Sequence, residues 1–234
     1  MITTAQKHVI DSVLSLHETG KLPSAAAYST VTVLKDGAGI SYGKHQSTDK
    51  SGSLDAIVHR YCDKGGTLTA KFAPFFDELA ANESSKVDPK ALPQWVKDLQ
   101  ALLALAGKDP VMQAAQDEVF DENYWNPAVL KCSAMGLTTA LAHLVVYDTC
   151  IHSGPGRVDS LRNTFAAVPP ARGGDEKVWV KAFLNARKKW LQSSANPLVV
   201  KSAYRCDALL GLVAAGNWDL ATPFAYRGAT VTSG

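Results

Sequence analysis

Two acidic side chains stand out by type and setting: Glu18 and Asp36, eighteen positions apart. Glu18 follows a run in which Val9, Ile10, Val13, Leu14 and Leu16 recur at helical spacing, so it is expected at the C-terminal end of an amphipathic helix, just before Gly20. Asp36 opens the turn Asp36-Gly37-Ala38-Gly39 between two extended runs. Partial burial at the end of an apolar helix favours a protonated carboxyl, whereas a carboxylate in an open glycine-rich turn stays ionised. Hydrolysis of a glycosidic bond requires that division: an acid that protonates the leaving oxygen, and a carboxylate that activates water or attacks the sugar. The pair alone is a weak marker, because the chain carries 22 acidic residues and an Asp-Gly turn is commonly structural.

The elements that must position these groups follow from periodicity. A helix is expected over residues 3–17, with Thr3 or Thr4 as its N-cap. Thr30, Val31, Thr32, Val33 and Leu34, then Ile40, Ser41 and Tyr42, predict a small β-hairpin or sheet. Helices are expected over residues 53–61, 68–81, 93–106, 110–120, 127–133, 138–151, 158–165, 176–192 and 197–214, separated by Gly, Pro, Asn and Asp signals. Residues 222–234 are expected as a loosely ordered tail. The class is therefore α+β, mainly α: one catalytic domain over residues 1–234 with two lobes, the first helix and the sheet forming one wall of a cleft.

Bulk properties narrow the function classes. With 46% hydrophobic and 20% charged residues, the composition is that of a folded globular protein. A net charge of +2 is too small to argue for nucleic acid, yet it does not repel an anionic polymer. The apolar stretch at residues 136–146 is shorter than the roughly 20 residues that span a bilayer, so no membrane insertion is expected. Residues 1–20 lack the pattern of a secretory signal. Cys62, Cys132, Cys150 and Cys206 form no CxxC pair and are expected as buried free thiols, with no metal site. A nucleophilic hydrolase lacks its Gly-x-Ser-x-Gly elbow, and Gly154-Pro-Gly-Arg157 is no P-loop.

The run Glu18-Thr-Gly, followed by Asp36-Gly-Ala-Gly-Ile-Ser-Tyr-Gly at that spacing, resembles the catalytic segment of the family 46 glycoside hydrolases, the chitosanases. The likeness continues in Asp109-Pro-Val-Met-Gln-Ala-Ala-Gln-Asp-Glu-Val-Phe, in Tyr124-Trp125-Asn-Pro-Ala and in Tyr147-Asp148-Thr-Cys-Ile-His152-Ser-Gly. It extends to Phe183-Leu-Asn-Ala-Arg187 and Tyr204-Arg205-Cys-Asp207, so it covers most of the chain. The resemblance implies a lysozyme-like two-lobed fold and an inverting mechanism, with Glu18 as general acid and Asp36 as general base. Ser41, five positions after Asp36, would hold the attacking water where the family more often has threonine. Asp148, Arg187 and Arg205 would form a buried network that orients Glu18.

One position departs from the family. A carboxylate that pairs with a substrate ammonium group in chitosanases aligns with Ser53, and Asp55 is out of register. A neutral hydroxyl suits an N-acetylated sugar, so peptidoglycan is the expected polymer and chitosan the alternative. Tyr42, His45, Gln46 and Ser53 are the candidate substrate contacts. His152, Tyr124 and Trp125 are expected in structural roles, and Lys177, Lys188 and Lys189 on a solvated face. No cofactor is required. A muramidase without a signal peptide would be made in the cytoplasm and reach the wall by non-classical delivery, as a phage lysin or an injected antibacterial effector. An effector would also pair with an immunity protein or a delivery partner. The competing reading from another class is an inactive wall-binding or phage-tail module, against which the joint retention of Glu18, Asp36 and Ser41 argues.

Overall fold

A computed structural model describes residues 2–233. Most of the chain is helical, with one small antiparallel sheet and a C-terminal hairpin. It divides into two compact units: residues up to Leu22 together with those from Tyr124 onward, and Pro23–Asn123.

The first unit opens with α1 (Thr4–Glu18). Thr3 caps it reciprocally, its hydroxyl accepting from the Gln6 N–H while the Gln6 side chain accepts from the Thr3 N–H, which satisfies two otherwise orphaned donors. Val9, Ile10, Val13, Leu14 and Leu16 are buried, as their spacing predicts.

The second unit begins with a 3-10 turn at Ala25–Ser29 and the strands β1 (Val31–Val33), β2 (Ile40–Tyr42) and β3 (Ser47–Thr48), in the order β1-β2-β3. The expected hairpin thus carries a third short strand. Side chains alternate along β2: Ile40 and Tyr42 enter the core of this unit, and Ser41 takes the opposite face. Over that core lie α2 (Ser53–Asp63), α3 (Thr69–Phe72), α4 (Phe76–Ala80), α5 (Gln94–Ala106) and α6 (Pro110–Phe120). The single helix expected over residues 68–81 is broken, because Pro74 has no N–H to donate and its ring crowds the preceding turn.

A π-helical turn, Asp121–Trp125, leads the chain back to the first unit. There follow α7 (Asn126–Met135), α8 (Ala140–Ser153), α9 (Pro155–Arg162), α10 (Glu176–Gln192), α11 (Pro197–Lys201) and α12 (Tyr204–Ala214). Every residue of α8 from Ala140 to Cys150 is buried, and α8 packs against α1, α7, α9, α10 and α12. A helix buried on all sides is a core helix, and no described helix is long and apolar enough to cross a membrane. Residues 197–214 form two helices rather than one; the Ser202 hydroxyl donates to the Val199 carbonyl and competes with helix continuation. Trp125 packs edge-on against Tyr147, ring centroids 5.0 Å apart. All four cysteines are free thiols.

The tail departs most from expectation. It is a hairpin, β4 (Phe224–Tyr226) paired with β5 (Ala229–Val231). Both residues of its two-residue turn, Arg227 and Gly228, have positive φ, as a type I′ turn requires. Tyr226 and Val231 are buried, which holds the segment down. Its last residue, Gly234, and Met1 lie outside the described residues.

Candidate active site

In the first unit, α1 delivers Glu18 at its last turn, and the carboxyl is exposed rather than partly buried, with 45% of its side chain accessible. The helix ends there, and the following Thr19 and Gly20 are exposed as well. Arg205 of α12 reaches Glu18 Oε1 with Nη1 at 2.7 Å, and the same nitrogen lies 3.0 Å from Oδ1 of Asp148 on α8. Arg187 of α10 donates to Asp148 Oδ2. The three network residues expected from the sequence therefore converge, with Arg205 alone touching Glu18. Two side chains complete the set: His17 places Nδ1 2.8 Å from Asp148 Oδ1, and the Tyr226 hydroxyl is 2.7 Å from His17 Nε2.

Asp148 is fully buried, which by itself would favour the neutral acid, but Arg187, His17 and Arg205 together hold its carboxyl well below the usual carboxylate range. Arg205 is buried by the same packing, which by itself disfavours its charge, yet Asp148 and Glu18 hold its guanidinium more firmly charged than usual. His152, on the last turn of α8, is pushed down by burial and by Arg205 and Arg187, and its Nδ1 lies 2.8 Å from the Ser153 hydroxyl. It lies beside the network.

In the second unit, Asp36 is exposed in its turn, and its Oδ1 accepts the Ala38 N–H at 3.0 Å, which fixes the carboxylate by a local Asx contact. The end of that loop is tightly packed. Gly39 has φ +75°, and a Cβ there would lie 2.5 Å from the Ser84 hydroxyl. Ser84 donates to the buried Asp49 and accepts the Ile40 N–H, so the loop is pinned where β2 begins.

Ser41 is buried at the centre of the sheet, directly opposite Thr32 on β1 and Thr48 on β3. This register sets three hydroxyl side chains in a row across one face. Beside it, the Ser53 hydroxyl accepts the Thr48 N–H at 3.1 Å and lies 2.7 Å from the Ser51 hydroxyl. Gln46 closes the turn with both ends of its amide, accepting from the Thr32 hydroxyl and donating to the Gly43 carbonyl. His45 stacks on Phe120 and sits 3.5 Å from Asp117.

Tyr42, expected to touch substrate, is a core residue. It is wholly buried, its hydroxyl donates to the Leu103 carbonyl, and strand alternation turns it away from the Ser41 face.

The Glycosyl hydrolase family 46 model matches residues 12–224. The chain belongs to that family. Among curated relatives, it is 31% identical over 234 residues to a chitosanase of Bacillus subtilis, covering 95% of this chain and 82% of the relative. It is 30% identical over 230 residues to a chitosanase of a Streptomyces species, covering 95% and 79%. Among solved structures, a glutamate-to-alanine mutant chitosanase from Bacillus subtilis complexed with six GlcN units superposes with TM-score 0.78 at 27% identity, covering 99% of this chain and all of that one. A Gynuella sunshinyii chitosanase bound to chitotetraose gives TM-score 0.77 at 28% identity, with 98% of each chain covered.

This family 46 chain is thus a glycoside hydrolase, and its mainly helical architecture with a small antiparallel sheet matches those structures. The two candidate carboxylates are held by different means. Glu18 is tied to a buried ionic cluster, whereas Asp36 is fixed by a backbone contact within its own turn.

Sequence reasoning missed His17, Tyr226 and the Asp49–Ser84 clamp. Adjacency to Glu18 was the one available signal for His17, and no local pattern joins it to a tyrosine 209 positions away.

Proposed function

We propose that this glycoside hydrolase cleaves the β-1,4 bonds of chitosan within the chain, with inversion at the anomeric carbon. Glu18 gives its proton to the glycosidic oxygen as the C–O bond breaks. Asp36 takes a proton from a water that the Ser41 hydroxyl helps to hold, and that water attacks the anomeric carbon. The observation that carries this reading is the likeness, over nearly the whole chain, to chitosanases, one of them complexed with six GlcN units. The convergence of Asp148 and Arg205 behind Glu18 adds to it, because a carboxyl fixed in orientation by a guanidinium is placed for one defined proton transfer. The relatives thus favour chitosan over the peptidoglycan expected from Ser53.

The second reading stays with that residue. Thr32, Ser41, Thr48, Ser51 and Ser53 give the sheet face and its edge neutral hydroxyls in place of a carboxylate for an ammonium group. Uncharged N-acetyl groups would meet suitable donors and acceptors there, so acetylated units, including those of peptidoglycan, are the alternative substrate.

Chitosan and purified peptidoglycan offered side by side discriminate the two. Release of soluble glucosamine oligomers from chitosan supports the first reading; reducing N-acetylmuramic acid ends support the second. Glu18→Gln and Asp36→Asn should each lower kcat by about two to four orders of magnitude, with oligomer binding retained. Near-normal turnover in either variant removes that residue from its role, and NMR of the newborn anomer checks inversion.

A further inference from the structure

We propose that the C-terminal hairpin is part of the catalytic support, with Tyr226 and His17 acting as positioning residues that set Arg205 against Glu18. The inference rests on Glu18 being the acid.

The geometry is a continuous chain of contacts. The Tyr226 hydroxyl lies 2.7 Å from His17 Nε2, His17 Nδ1 lies 2.8 Å from Asp148 Oδ1, and that oxygen lies 3.0 Å from Arg205 Nη1. Arg205 Nη1 ends the chain 2.7 Å from Glu18 Oε1. A single carboxylate oxygen is therefore shared by an imidazole and by the guanidinium nitrogen that touches Glu18. Whatever turns the Asp148 carboxylate also moves Arg205.

The hairpin fixes the imidazole from its far side. The ionised Asp148 carboxylate can only accept, so His17 carries a proton on Nδ1 and donates it to Asp148, while the Tyr226 hydroxyl, 2.7 Å from Nε2, anchors the other ring nitrogen. Without that hydroxyl the imidazole loses the contact that holds its ring towards Asp148. A second tie runs from the same hairpin to the same residue. The Arg227 guanidinium lies 3.9 Å over the Tyr204 ring, and the Tyr204 hydroxyl donates to the His17 carbonyl at 2.8 Å. Both the side chain and the backbone of the residue before Glu18 are thus held from the chain terminus. Tyr226 lies beyond the segment matched by the family model, which stops at residue 224.

A merely structural hairpin would affect stability and leave turnover per folded molecule unchanged. A displacement of about 1 Å at a reacting group costs on the order of a hundredfold in rate. Tyr226→Phe keeps the ring and removes the hydroxyl. It is expected to remain folded, with Tm lower by a few degrees, kcat lower by about 10- to 100-fold and KM within about twofold of the parent. At position 17, His17→Asn keeps an amide donor near the place of Nδ1, while His17→Gln places its amide near Nε2. Asn should therefore preserve more turnover than Gln, although both lose the ring.

The full chain, with chitosan oligomers as substrate, is assayed for kcat, KM and Tm beside Glu18→Gln. Wild-type kcat in Tyr226→Phe with an inactive Glu18→Gln overturns the positioning role alone. So does a Gln variant at position 17 that equals or exceeds the Asn variant. Retained activity in Glu18→Gln overturns the acid assignment and this inference with it.

Discussion

The surroundings of Glu18 and of Asp36 are built on opposite principles. Behind Glu18 lies a desolvated cluster of formal charge: Asp148 and Arg187 have no exposed side-chain surface, Arg205 has 7%, and the partners come from α1, α8, α10, α12 and the terminal hairpin. Around Asp36 most contacts are backbone-based and close in sequence, namely an Asx turn, a three-stranded register and a glycine at φ +75°, with one distant tie in the Ser84 hydroxyl, which joins the Ile40 N–H to buried Asp49. Buried charges are stable only in company, so the first region depends on every member being present. The second depends on backbone shape, and its side chains can vary so long as the turn closes. In the roles proposed for them, an acid that must hold one orientation and a base that must meet water would place different demands on their supports, and the two regions differ in their physics accordingly.

The contrast is broken most severely at the centre of the charge cluster. Asp148→Ala leaves two guanidinium groups buried without their carboxylate, a loss of about 3–5 kcal/mol. Urea denaturation measures it; a cost below about 1 kcal/mol, the range of exposed ion pairs, would mean that the cluster is wetter than its burial indicates.

On the other side, Gly39→Ala sets a Cβ 2.5 Å from the Ser84 hydroxyl and 2.7 Å from the Ser85 nitrogen, in a left-handed conformation. A cost of about 1–3 kcal/mol is expected, together with reduced turnover as the Asp36 turn shifts. Unchanged Tm and kcat would show that this loop is free to adjust.

The smallest effect is acid titration. Asp117 is partly desolvated, which opposes ionisation, but His45, Lys44 and Tyr28 pull its carboxyl down to about 2. A carboxylate whose folded pKa is depressed stabilises the fold above its unfolded value, near 3.9, and that contribution is lost as pH falls towards 2. Asp117→Asn should therefore flatten the fall in Tm between about pH 4 and 2. The side chain is 41% exposed, so solvent screening keeps the change modest. The Asp148 contribution has the same sign and persists to lower pH, because its carboxyl is held well below the usual range. If Tm of the Asn variant falls as steeply as that of the parent, Asp117 carries none of the acid sensitivity.

Much of this molecule was legible in advance because the deciding interactions are local. The capping box at Thr3, the pattern Val9 to Leu16, Pro110 at the start of α6 and Asp175 before α10 each act within a few residues, and those helices lie where periodicity places them. The Glu18 and Asp36 spacing, with Asp148, Arg187 and Arg205 further on, is likewise written in the order of the chain. The errors fall where local signals conflict or are short. Pro74 and Ser202 interrupt patterns read as continuous helices, and Arg227-Gly228 is a weaker hairpin signal than Asn-Gly. Tertiary structure alone decided that Glu18 is exposed, that Tyr42 is core, and that His17 joins Asp148 across 131 positions and Tyr226 across 209. Burial and ion pairing depend on which distant segments close upon one another, and residue spacing along the chain carries no record of that closure.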